Sequence, residues 1–165
     1  MKQIHLSELN VSSFSLFNYQ WCLIGVAKNK VNAMTASWGS IGTLWNRPIA
    51  TIYVRPSRYT HQLLESDSHF TLSFFSQQHR PVLNYLGSIS GRDRDKLKEC
   101  GIPYHIDKGA LYFDDAELII KCKKIMTQPF EERNIDEDIK RKMYPNGDIH
   151  TMIIGEVEEV WIKEK

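Results

Sequence analysis

Alternation of apolar and polar positions divides most of the chain into short extended segments. "WCLIGVAK" (Trp21 to Lys28) is apolar and β-rich, "NKVN" (Asn29 to Asn32) supplies turn residues, and "NAMTASWGS" (Asn32 to Ser40) reads as a second strand. "PIATIYVR" (Pro48 to Arg55) and "HFTLSFF" (His69 to Phe75) are further strands. In "AELIIKCKKIM", Leu118, Ile120, Cys122 and Met126 fall on one face, with Lys121 and Lys123 opposite and Lys124 interrupting the apolar side. The turn signal "YPNGD" (Tyr144 to Asp148) precedes a last strand, "IHTMIIGEVEEVWI", on which His150 shares a side with Met152 and Ile154.

Helical spacing is rarer. In "SRYTHQLLESD", Tyr59, Leu63 and Leu64 come to one side, with Ser57 placed as N-cap. "RPVLNYLGSIS" reads as a short helix begun by Pro81, and "EERNIDEDIKRKM" as a solvated one. Many strands, few helices and short turns predict a mainly β fold, a small closed or nearly closed barrel with peripheral helices. The 165 residues suit one domain spanning the whole chain.

Charge narrows the function. With 21 basic and 20 acidic residues the chain carries no footprint for a long polyanion, so no nucleic-acid partner is expected and any bound anion should be small and held locally. Cys22, Cys100 and Cys122 are too scattered for a disulfide framework or a metal site and read as reduced structural thiols. Lys2 to Asn10 has no apolar core of a signal peptide, and no run approaches the roughly 20 apolar residues of a membrane helix. A cytoplasmic protein with no membrane partner is the expectation.

Four places could hold chemistry. If Ala33 to Ser40 is one strand, Ala33, Thr35, Ser37 and Gly39 make a nearly bare face against which a flat ligand could lie; a tightly packed barrel interior or a polar loop gives the same pattern. At "RPSRYT" a strand gives way to a helix start, where Arg55, Ser57, Arg58 and Thr60 add donors to free backbone N–H groups, as a phosphate requires and as an ordinary N-cap with solvated arginines also provides. "SGRDRDK" (Ser90 to Lys96) offers Arg92 and Lys96, either to a phosphate or to its own carboxylates. His150 and Tyr144 lie near the start of the last strand, with no second ligand at metal spacing. No GxSxG, Cys/His signature or placed carboxylate pair supports hydrolysis, so an enzyme here would rely on a cofactor.

In that order, "NAMTASWGS", "RPSRYT", "FTLSFF", "SGRDRDK" and a late "H…GEV" resemble the flavin reductase-like family, whose fold is the FMN-binding split barrel. The resemblance spans roughly Tyr19 to Val160 and implies that Asn32, Met34, Thr35, Ala36, Ser37 and Trp38 hold the isoalloxazine on the bare face. It further implies that Arg55, Ser57, Arg58 and Thr60 hold the FMN phosphate, that Arg92 and Lys96 lie near the cofactor, and that His150 and Tyr144 approach the nicotinamide. By the same resemblance the chain is a homodimer with FMN at the subunit interface. It takes hydride from NADH or NADPH and passes electrons to a flavin, a metal complex or a partner oxygenase. An FMN-binding electron carrier or flavin store without NAD(P)H turnover stands as the alternative, and "NAMTASW" speaks against a heme or pyridoxamine-phosphate-oxidase type of split barrel. The charged stretch Glu131 to Lys142 matches no functional motif.

Overall fold

The computed structural model describes residues 1–164. Its strands are β1 (Lys2–Ile4), β2 (Cys22–Val26), β3 (Asn32–Ala36), β4 (Gly39–Leu44), β5 (Arg47–Val54), β6 (His69–Phe74), β7 (Tyr104–Asp107), β8 (Ala110–Phe113), β9 (Leu118–Pro129) and β10 (Thr151–Ile162). The α-helices are α1 (Tyr59–Ser66), α2 (Arg80–Ser88), α3 (Lys96–Cys100) and α4 (Glu137–Met143), with a π-helical turn at Ser15–Gln20.

Eight strands form one antiparallel sheet in the order β3-β2-β6-β9-β10-β5-β4, with β1 added along the far half of β10. Its terminal strands, β3 and β4, are consecutive in the chain and share no ladder among the described residues, so the curled sheet is a split barrel, the mainly β fold the pattern predicts. Period-2 alternation makes two cores from the same strands. Cys22, Ile24, Val26, Phe70, Leu72, Phe74, Leu118, Ile120 and Cys122 point inward. Leu23, Ala33, Phe75 and Ile119 point outward, against α2, α3 and the β7–β8 hairpin. Gly155 of β10 belongs to the first core, because a Cβ there would stand 2.7 Å from the Phe70 ring and 2.6 Å from the Cys122 Cβ.

Several local expectations are corrected. The segment "NAMTASWGS" is two strands, broken at Ser37 and Trp38, and part of its bare face is covered by the rest of the chain. Ala33 joins the outer core, the Thr35 hydroxyl donates to the Leu83 carbonyl of α2, and a Cβ on Gly87 would stand 3.2 Å from Thr35. At Ala33 and Thr35 the small residues admit the close approach of α2.

On β9 the pairing with β10 skips Ile125, a bulge that shifts Met126 out of the alternation of Leu118, Ile120 and Cys122. Lys124 beside the bulge donates to the Leu64 and Glu65 carbonyls at the end of α1. Lys121, expected in solvent, is buried with its ammonium 2.8 Å from Glu159 and 3.4 Å from Glu158. The charged stretch divides into a 3-10 turn at Glu132–Asn134 and α4, both exposed. All three cysteines are free; burial in the barrel pushes the Cys22 and Cys122 thiols up, which suits inert structural residues.

Candidate functional site

A groove runs over one end of the barrel in two parts that meet at Met34, Ser57 and Arg58. The wide part is a cleft of about 460 Å³, within the range of about 300–1,000 Å³ usual for ligand sites. Its floor comes from β3 and the break after it, Met34 to Trp38. Tyr53 of β5, Arg55 just after it, Met143 at the end of α4 and His150 just before β10 make the walls. The narrow part, about 100 Å³, lies between the start of α1 and the end of α2, lined among others by Asn32, Thr60, Gly87, Ser90, Arg92 and Lys96.

The wide cleft is aromatic on one side. His150 is buried and stands 4.9 Å from the Trp38 ring, with its Nδ1 2.9 Å from the Tyr144 hydroxyl. Burial, helped by the Arg55 charge and opposed by Asp148, pushes its pKa down to about 4, so His150 is a neutral imidazole at pH 7. Arg55 donates to the carbonyls of Asp148 (3.1 Å) and Met143 (2.9 Å), and its guanidinium lies 5.1 Å from the Tyr144 ring centroid.

The narrow end is built from donors. Helix α1 begins at Tyr59, with Arg58 rather than Ser57 as N-cap and no side-chain cap, which leaves first-turn N–H groups without an intrahelical acceptor. Ser57 instead gives its N–H (3.0 Å) and hydroxyl (2.6 Å) to the Asp148 carboxylate. The Arg58 guanidinium spends one of its five N–H groups on the Gly87 carbonyl, and Arg92 reaches the Ser57 carbonyl. Asn32 is buried and donates to the Thr60 hydroxyl at 2.8 Å, leaving that hydroxyl its own hydrogen. Gly91 must be glycine, since a Cβ would stand 2.2 Å from the Asn32 Oδ1.

Lys96 is also buried, two of its three donors on the Leu86 (2.7 Å) and Ile89 (2.9 Å) carbonyls at the end of α2. Burial and the neighbouring Arg58 push its pKa down to about 8. Among the described residues lining either part, none carries a carboxylate. Crowded cations with no carboxylate among the described lining residues are what a bound anion would relieve.

The structure brings all twelve cofactor-side residues expected from the sequence to this groove, with a different division of labour. Asn32, Thr60, Arg92 and Lys96 line the narrow end, whereas Thr35, Ala36, Ser37, Trp38 and Arg55 line the cleft. His150 is in the cleft wall, and Tyr144 stands behind it. Tyr53, Met143 and Asp148 were not foreseen. Tyr53 carries a readable signal, being two residues from Arg55 on one strand face. Met143 and Asp148 depend on how a turn packs and carry none.

A family model, flavin reductase like domain, matches residues 14–165. No curated protein sequence matches the chain. Among solved structures, it is similar to an FMN-binding protein from Thermus thermophilus with bound p-hydroxybenzaldehyde, at TM-score 0.70 and 22% identity over 99% of this chain and 83% of that one. It is similar to the flavoredoxin of Desulfovibrio vulgaris (Miyazaki F), at TM-score 0.69 and 22% identity over 99% and 78% of the two chains. A third likeness is to a Streptomyces globisporus NADH:FAD oxidoreductase, at TM-score 0.68 and 18% identity over 87% and 75%; that enzyme is also solved in complex with NAD and FAD fragments. These identities speak for the fold, and the family match over most of the sequence speaks for descent: the chain belongs to the flavin reductase-like family.

Proposed function

We propose that the protein is an FMN-dependent NAD(P)H oxidoreductase of the flavin reductase type, with the flavin ring in the wide cleft and its phosphate at the narrow end. One observation carries the reading: a ring-sized cleft opens into a small, donor-lined recess with no carboxylate among the described lining residues. Bound FMN supplies a two-electron centre that accepts hydride from a reduced nicotinamide and passes electrons to an acceptor such as a flavin, a metal complex or a partner oxygenase. Arg58, Thr60, Arg92 and Lys96 neutralise and orient the phosphate, Lys96 with the one donor its carbonyl partners leave over. Met34, Ala36 and Trp38 exclude water from one side of the cleft, while neutral His150 presents a polar edge without adding charge.

The test is anaerobic mixing of the FMN-loaded protein with NADH and with NADPH while the flavin absorbance is followed. Bleaching by either donor is the expected result; persistent yellow colour that dithionite still bleaches overturns the reductase reading. That second outcome fits an electron carrier or flavin store, a reading favoured by the likeness to a flavoredoxin.

The same proposal includes a homodimer with the FMN sites at the subunit interface. Trp38 lines the cleft yet is 41% exposed, and Trp45 at the β4–β5 turn is 62% exposed, apolar surface that a second copy would cover. Light scattering should give twice the chain mass; a monomer that binds FMN tightly would remove the shared site.

A further inference from the structure

The Ser57–Asp148 contact sits where the two parts of the groove meet: Ser57 lines both, and Asp148 lies behind it outside either lining. Asp148 ends a turn in which it and Gly147 both have positive φ, 56° and 74°. Asp is among the few side chains that tolerate that conformation. The turn is held by polar hooks: the Gly147 N–H on the Tyr144 carbonyl, Arg55 on the Asp148 and Met143 carbonyls, and the Phe130 N–H on the His150 carbonyl. Asp148 adds hooks from its side chain to the corner just before α1, taking both the N–H and the hydroxyl of Ser57.

We infer that Asp148 is a positioning residue, whose carboxylate ties the segment from Met143 to His150 to the strand-to-helix corner and thereby sets His150 in the cleft wall with Tyr144 behind it. Three links connect the hook to the cleft: Ser57 to Asp148 at 2.6 Å, the turn back to Tyr144, and the Tyr144 hydroxyl to the His150 Nδ1 at 2.9 Å. The His150 ring then lies against Trp38. Two consequences follow. Ser57 is already committed, so it contributes to anion binding through the corner it shapes rather than as a free donor, and the phosphate falls to Arg58, Thr60, Arg92 and Lys96. The charge balance agrees: partial burial would push the Asp148 carboxyl up, but the Ser57 hydrogen bonds and Arg55 hold it below its usual range, so the hook is ionised at neutral pH.

The inference rests on the redox reading only for its effect on turnover, so the deciding measurement uses flavin-free protein. The titration of His150 is followed by NMR in the parent, Asp148→Asn, Asp148→Ala and Ser57→Ala. The charged groups beside the imidazole are Arg55 and Asp148, with the Tyr144 hydroxyl on Nδ1. Loss of a nearby carboxylate by itself lowers the titration midpoint of a histidine. Release of the turn raises it, because water reaches the ring and the midpoint returns toward about 6.5.

Asp148→Asn, whose carbonyl oxygen can still accept the Ser57 N–H, should therefore stay at or slightly below the parent value, whereas Asp148→Ala should rise. Ser57→Ala, which loses only the hydroxyl bond, should rise less and serves if the first variant does not fold. A midpoint that falls or stays in both alanine variants overturns the positioning role. With FMN loaded, Asp148→Ala should slow bleaching by about tenfold or more while the FMN dissociation constant changes by less than about threefold. Equal losses of FMN affinity and bleaching rate would mark a residue that merely holds the fold. If neither nicotinamide bleaches even the parent, the titration still decides the role of Asp148.

Discussion

The two ends of the groove solve different problems with different parts of the chain. The wide cleft is floored by a strand and its break, and its wall is largely aromatic, with Arg55 beside Tyr53 and His150. The narrow end is made where helices start and stop, from N–H groups, hydroxyls and cations that crowd each other. A flat ring asks for surface, and a phosphate asks for donors in fixed places. The contrast teaches that one ligand can be read in two physical languages, so substitutions at the two ends should respond differently to removal of the phosphate.

The largest expected effect is at the narrow end. Arg58→Ala with Thr60→Ala should weaken FMN much more than riboflavin, by on the order of tenfold to a thousandfold, since each charge-assisted hydrogen bond contributes about 1.5–3 kcal/mol. Titration of both flavins by fluorescence quenching measures it, and equal losses would mean that the barrel had been disturbed. At the wide end, Trp38→Ala should weaken FMN and riboflavin alike, by about twofold to tenfold, the effect of one aromatic contact of roughly 0.5–1.5 kcal/mol. A loss confined to FMN would erase the distinction between the ends.

The smallest effect concerns protons. His150 has a folded pKa of about 4, below the usual value, so the unfolded chain binds its proton first as pH falls. The stability that neutral His150 contributes is complete above about pH 6.5 and is lost progressively down to about pH 4. Thermal unfolding midpoints should drop more steeply across that window in the parent than in His150→Gln, and parallel slopes would show that the histidine is not buried neutral.

How much of this could be read in advance depends on the range of the signal. "RPSRYT" was legible because a strand end, clustered donors and a helix start all lie within six residues. The small residues of β3 were readable as a gap but not as to what fills it, since a helix backbone and a flat ring both select alanine and threonine; Gly87, some fifty positions on, decides for the helix on one face. Lys121 looked solvated because its partners Glu158 and Glu159 are on another strand, brought opposite by a bulge no periodicity announces. The β7–β8 hairpin was missed although its turn is local: Lys108 and Gly109 both take positive φ, as a tight hairpin turn needs, but lysine is an unusual residue at the first of those positions. Asp148 was invisible for the opposite reason, a common turn residue whose side chain acts across the fold.

The place of β10 in the sheet bears on how the molecule is made. It lies between β9 and β5, so until the chain has emerged beyond Thr151 the sheet is two pieces, β3-β2-β6-β9 and β5-β4, each with an open edge toward the other. The narrow recess draws its lining from residues 32 to 96, all synthesised early, whereas the cleft lacks Met143 and His150 until late. During synthesis the recess can take shape first, and the cleft only after β10 threads the two pieces together. If flavin binds as proposed, acquisition of its colour would time-stamp the last event in assembly of the barrel, and a ribosome-bound chain halted before β10 would carry the narrow recess without the completed cleft.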